Sequence, residues 1–200
     1  MPKDASGRRN NLWQVAAKQR GYFTAADALK AGYTYQAQQF HKRNGNWIQI
    51  DRALYRLREF LALPGQDTDH LVRWTLWSGG EAVVSHTTAL AVHDLGIANP
   101  AKVHLTVPPG YRRTASALAI HKGELPPTDI LHSDGFRVTT PVRSVLDAAL
   151  AEADQDVISS AVSDLLHRGI ITQRSLLHRA QLAGPRAELS IERAVREGEH

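Results

Sequence analysis

The segment from Gly21 to Leu57, GYFTAADALKAGYTYQAQQFHKRNGNWIQIDRALYRL, constrains the fold more than any other part of the chain. Thr24 precedes Ala25-Ala26-Asp27-Ala28-Leu29-Lys30. That is an N-cap residue ahead of strong helix formers, with Asp27 where a capping box places its carboxylate. Gly32 stops this helix, since a residue just past a helix end commonly turns left-handed. Thr34 caps a second helix running from Tyr35 to about Arg43. Asn44-Gly45 is the strongest short turn signal in the chain. Trp47-Ile48-Gln49-Ile50 then alternates as a half-buried strand does, and Ala53 to Leu57 reads as the returning strand.

Helix, turn, helix and hairpin is the element order of a winged helix-turn-helix. At about 100° per residue, Tyr33, Ala37, Phe40 and His41 share the side of the second helix that packs on the first. The opposite side collects Tyr35, Gln38, Gln39, Lys42 and Arg43, with no carboxylate. Gln pairs bidentately with adenine and Arg with guanine, while Lys serves phosphate, so this face suits the edge of a DNA duplex. An ordinary solvated helix face usually mixes both signs of charge. Thr34 at the cap, Asn46 in the turn, and Arg52 and Arg56 on the wing are expected to position the module on a backbone, with Arg58 beside them. Trp47 is expected to plug the core.

Charge is divided along the chain. Residues 1–58 hold 11 Lys+Arg and 3 Asp, a net of +8, whereas residues 59–200 carry a net of −4. A basic module ahead of an acidic remainder points the first at a polyanion and argues against nonspecific stickiness of the whole. The expected core of the basic module is Leu12, Val15, Phe23, Leu29, Phe40, Trp47, Ile50 and Leu54, with a first helix from about Asn11 to Arg20. Residues 1–9, with Arg8 and Arg9 adjacent, read as an irregular tail; an arm reaching a phosphate is the functional alternative.

Leu61 to Asp67, with Pro64-Gly65 at its centre, reads as the seam between modules. The expected domains are therefore 1–64 and 65–200. A helix follows from Asp67 to Trp77, and then one capped by Ser85. Val103-Leu105-Val107, Leu118 to Lys122 and Phe136 to Thr139 are strand candidates for a small central sheet. Thr140-Pro141 opens a helix with proline at its preferred first position. Gln155 to His167 and a segment capped by Thr172 give two more. The tail to His200 reads as charged, with one further exposed helix at most. The expected class is α+β: an N-terminal winged helix-turn-helix, then a mixed domain with a central sheet and a helical end.

Enzymatic signatures are missing. The chain has no cysteine, which excludes thiolate chemistry and disulfides. No HExxH, GxSxG or phosphate-binding glycine loop occurs. His86 and His93, seven apart, would share a helix face, and His104, His121 and His132 are candidates to approach one another, but no His-x-His or His-x-x-x-His pair joins a nearby carboxylate on one face. No catalytic residue, metal or cofactor is expected. Neither a membrane-length apolar run nor a signal-peptide core is present, so a cytoplasmic protein is expected.

The segment from Gly21 to Leu57 also resembles the winged-helix domain of AbiEi-type antitoxins. VVSHTTALAVHDL, KVHLTVPP and FRVTTPVRSVLDAAL are similar to landmarks of that family's C-terminal domain. The resemblance covers about residues 10 to 180, with the motifs in the family's order. It implies a bacterial antitoxin that neutralises a cognate nucleotidyltransferase-like toxin and represses its own operon by binding operator DNA. Thr34 to Arg43 would be the recognition helix. No toxin-binding residue carries over, because the matching motifs are structural. One recognition helix reads few base pairs, which leaves room for a homodimer on inverted half-sites. Two other readings fit the residues. One is a stand-alone winged-helix regulator sensing a ligand or partner through its C-terminal domain. The other is a toxin-binding protein whose winged helix serves dimerisation.

Overall fold

A computed structural model describes residues 5–62 and 67–198. The chain forms two compact units, one of residues up to 80 together with 132–136, the other of 81–131 and 137 onward. The division falls after Gly80 and not at residue 64: the helix Asp69–Trp77 (α4) belongs to the first unit. Most of the expected seam, residues 63–66, lies outside the described residues.

The first unit runs α1 (Ala5–Ala17), β1 (Tyr22–Thr24), α2 (Ala25–Lys30), α3 (Tyr35–Arg43), β2 (Trp47–Asp51) and β3 (Leu54–Leu57), ahead of α4. Thr24 builds the expected capping box: its Oγ1 accepts from Asp27 N at 3.1 Å, and Asp27 Oδ2 accepts from Thr24 N at 2.9 Å. Thr34 caps α3 by accepting from Ala37 N at 3.2 Å. β2 and β3 pair antiparallel, with Trp47 opposite Leu57 and a register shift between Gln49 and Asp51. β1, which the alternation did not disclose in so short a segment, adds to the far side of β3, with Phe23 opposite Tyr55.

Two expectations about this unit are corrected here. α1 begins at Ala5, so Arg8 and Arg9 sit on a helix and not in a tail; residues 1–4 are outside the described set. Leu29 and Phe40 are exposed, and Val15 and Ile50 only half-buried. The core instead takes Ala16, Ala28, Ala31, Tyr33, Tyr55, Leu57 and Phe60 beside the expected Leu12, Phe23 and Trp47, and Leu54 is buried as expected. Small alanines let the short helices approach closely, and aromatics from the sheet fill the remaining volume.

The second unit carries the sheet and the helical end. β4 (Val83–Val84), β5 (Val103–Val107), β6 (Leu118–Lys122), β7 (Ile130–Ser133) and β8 (Phe136–Thr139) form a five-stranded sheet in the order β6-β5-β4-β8-β7. Helices α5 (His86–Val92), α6 (Pro141–Leu150), α7 (Gln155–His167), α8 (Gln173–Ala183) and α9 (Pro185–Glu197) complete it. α9 is no exposed tail: Ala187, Ile191, Ala194 and Val195 are buried with Ile158, Leu165 and Leu176 in one apolar cluster. Its charged residues fall on the other side of the same helix, and this masked the stripe. α6 is pinned at its N-terminal end. Thr140 caps it, and Arg143 Nε donates to the buried Asp147 carboxylate at 2.7 Å while NH1 reaches Asp129 at 3.1 Å. Among the described residues no helix is long and apolar enough to cross a membrane.

The turn after α5 sits directly against α7. Gly96 N donates to Asp164 Oδ2 at 2.7 Å and Ile97 N to Ser160 Oγ at 3.2 Å. A Cβ on Gly96, whose φ is +65°, would lie 2.4 Å from Ser160 Oγ and 2.7 Å from Ala161 N. Gly79, φ +81°, has nothing within 4 Å of the same position. Gly79→Ala therefore meets only the left-handed penalty, about 1–2 kcal/mol. Gly96→Ala adds an overpacking cost of about 1–3 kcal/mol, because backbone must move. Urea denaturation of the two variants measures the difference; equal destabilisation would refute the close approach.

Candidate nucleic-acid interface

α3 stands with one side on the unit's aromatic core and the other in solvent. Trp47 is the centre of that contact. The His41 ring stacks on it at 4.9 Å, Tyr33 meets it edge-on at 5.0 Å, and Phe23 does so at 4.9 Å. Burial first, and then the charge of Arg8, hold the His41 imidazole below its ordinary pKa. A neutral ring against an indole is the form this packing favours. His41 therefore adds no positive charge at neutral pH, although three basic side chains occupy the last turn of α3.

The face presented to solvent is rotated from the expected one. Gln38 is 2% exposed, and its Nε2 donates to Ala25 O at 3.3 Å, tying α3 to the start of α2. It is thus withdrawn from the base-reading set. Phe40 moves the opposite way and is 59% exposed. The inward row is the adjacent pair Ala37 and Gln38, with His41 one turn on. Hydrophobicity had placed Phe40 in that row and polarity had placed Gln38 outside it. The spacing of Tyr33, Ala37 and His41 was the available signal, and it centres the buried stripe one residue away from Phe40.

The exposed face thus consists of Tyr35, Gln36, Gln39, Phe40, Lys42 and Arg43, with the Thr34 cap at its start. Tyr35 is 68% exposed. Gln36 and Phe40 are the residues the sequence reading missed. Asn46 occupies the turn, exposed, with its Nδ2 3.2 Å from His41 Nδ1. Arg52 is exposed at the β2–β3 connection, where its backbone N donates to Asp51 Oδ1 at 2.6 Å.

Arg56 is corrected. Its side chain lies over Tyr22 at 4.8 Å, donates from Nε to Arg20 O at 3.2 Å, and pairs with Asp69 at 3.1 Å. Arg20 approaches the same carboxylate at 3.7 Å. Two arginines and one aspartate, all largely buried, form a bridge between the sheet and α4, which leaves Arg56 no hand for a phosphate. Arg58, by contrast, is exposed, with its guanidinium beside Gly45. The described ion pairs of this unit involve neither Lys42, Arg43, Arg52 nor Arg58. The arrangement is an exposed helix face of amides, aromatics and cations outside the described ion pairs, flanked by two more exposed arginines, Arg52 and Arg58, at the hairpin.

No family model and no curated protein matches the chain. Among solved structures it is similar to the crystal structure of the RV2827C protein from Mycobacterium tuberculosis. The TM-score is 0.58 at 13% identity, over 96% of this chain and 77% of that one. At that identity the likeness shows the mixed α+β fold alone.

The corrected assignments separate stability from recognition. Arg56→Ala strands the Asp69 carboxylate in a largely buried site and is expected to cost about 2–4 kcal/mol. Gln38→Ala loses a buried hydrogen bond worth about 1 kcal/mol. Arg52→Ala and Gln39→Ala, both exposed, should stay within about 0.5 kcal/mol of the parent. Chemical denaturation of the four variants is the check, and a neutral Arg56→Ala would remove the bridge from the account.

Proposed function

We propose that the first unit is a winged helix-turn-helix that binds DNA, with α3 entering the major groove and the β2–β3 hairpin lying along the backbone. The observation that carries this reading is the solvent face of α3, which gathers Tyr35, Gln36, Gln39, Lys42 and Arg43 with no carboxylate. Gln39 and Arg43 are one turn apart near the middle of that face, where base edges are read. Lys42, Arg52 and Arg58 surround them and suit phosphates. Phe40, exposed at the edge of the face, suits apolar contact with a thymine methyl or a sugar. Two copies on inverted half-sites would extend so short a reading head.

The same proposal assigns the whole chain to the antitoxin role that its resemblance implies. DNA binding would repress its own operon, and the second unit would neutralise a cognate nucleotidyltransferase-like toxin. The first unit holds 12 Lys+Arg and 7 Asp+Glu, a net of +5, against 12 and 13, a net of −1, in the second, which supports giving the polyanion-binding task to the first. No catalytic role enters this reading.

A titration of the full chain on its own upstream DNA and on unrelated DNA, at two salt concentrations, tests the first half. Preference for the upstream fragment, weakening steeply with salt, is expected. Gln39→Ala or Arg43→Ala should cost about 1–3 kcal/mol and relax sequence preference, whereas Lys42→Ala should reduce the salt slope by about one. A Gln39/Lys42/Arg43 triple alanine variant with unchanged operator affinity would sink the assignment of α3. Co-expression with a toxin encoded beside the gene tests the second half. The triple variant should still protect cells, and a folded triple variant that fails to protect would refute the separation of tasks.

A further inference from the structure

The second unit brings His104 and His121 together as the sequence allowed, and adds His86 in place of His132. β5 and β6 pair in parallel with Thr106 opposite His121. His104 is two residues before Thr106 and so projects from the same face of the sheet. His86, the first residue of α5, reaches the same place. The ligand nitrogens of His86, His104 and His121 all lie within 4.8 Å of one another. His104 Nδ1 and His121 Nε2 are 3.0 Å apart, close to the separation of two donors on one tetrahedral ion. We propose that His86, His104 and His121 bind one divalent transition-metal ion of the zinc class.

The surroundings fit a metal centre in three respects. First, His86 Nδ1 is 2.8 Å from Ser85 Oγ, which in turn accepts from Thr106 Oγ1 at 2.8 Å. Engaging one ring nitrogen in this way leaves Nε2 for the ion. Second, a cavity of about 330 Å³ opens beside the cluster, lined by His86 and His104 and by Glu152 and Asp154. It supplies a route of entry and a fourth position for water or a small ligand. Third, His86 holds a left-handed backbone, φ +53°, unusual outside glycine. Strain of this kind persists where the surroundings over-determine a conformation, and it clusters at functional sites.

The donor set narrows the ion. Three imidazoles with no thiolate in the chain suit zinc, cobalt, nickel or copper over magnesium or calcium. Imidazole ligates in its neutral form, so binding is expected to weaken as the pH falls. One adjustment accompanies binding. The His86 ring lies 3.5 Å from the His121 ring, nearly parallel to it, so it must swing off that face to point its lone pair at a shared ion. Rotation about its Cβ–Cγ bond is soft.

The test is a titration of the full chain, stripped with a chelator, against Co²⁺ and Zn²⁺. One equivalent of Co²⁺ is expected to bind with the visible absorption of a four- or five-coordinate nitrogen–oxygen site, and Zn²⁺ should displace it. Zn²⁺ should also raise the thermal midpoint of unfolding. His104→Gln and His121→Asn, at the two less buried positions, are each expected to weaken binding at least about 10-fold and to abolish the thermal shift. Circular dichroism verifies that both variants fold; if either does not, His104→Asn or His121→Gln replaces it. His132→Ala, at an exposed histidine outside the cluster, should bind as the parent does. Absence of a saturable one-equivalent site overturns the proposal, as does parent-like affinity in either folded cluster variant. Neither result bears on DNA binding, whose test uses residues of the other unit.

Discussion

The packing of Trp47 sets how the first unit can meet a ligand. Its indole begins β2, yet it touches Phe23 of β1, Tyr33 before α3, His41 on α3 and Tyr55 of β3. One side chain thereby fixes the rotation of α3 about its own axis. Offset and edge-on ring contacts are directional, so the helix cannot turn by one residue without losing the contacts of His41 with Trp47 and Tyr33. That rotation buries Gln38 and exposes Phe40. Which residues are free to meet DNA follows from an aromatic contact on the far side of the helix.

The arginines of the same unit illustrate how position in the fold decides a charge's task. Arg52, Arg56 and Arg58 alternate along the hairpin and look equivalent in sequence. Arg56 pairs with Asp69 on α4 beside Arg20, and a charge so enclosed is costly to leave without its partner. Arg52 and Arg58 lie in water, where a phosphate is the better partner. In the second unit Arg143 is engaged like Arg56, held between Asp129 and Asp147 at the start of α6.

The helical end of the second unit depends on close approach. Gly96 lets the chain after α5 run against the backbone of α7, and the alanines of α6, α7 and α9 let those helices sit close enough to share one apolar cluster. α9 completes that cluster with Ile191 and Val195. It was hidden in the sequence because four residues at helical spacing are a faint stripe among many charges.

Local chemistry was legible in the amino-acid sequence. Caps at Thr24, Thr34, Thr140 and Thr172, the turn at Asn44-Gly45, and the alternation of β5 each act over a few residues, and the sequence alone determined them. It also determined the mixed α+β class, through the order of those elements, and the polarity of charge along the chain. Tertiary structure decided the rest. The added strand β1 and the two-residue strand β4 have no alternation long enough to read. The end of the first unit lies past α4 because the Arg56–Asp69 pair is formed between segments that share no local pattern. His86, His104 and His121 meet only through the register of β5 on β6 and the start of α5. Each of these depends on a long-range pairing, and a pairing leaves no periodic trace in either partner.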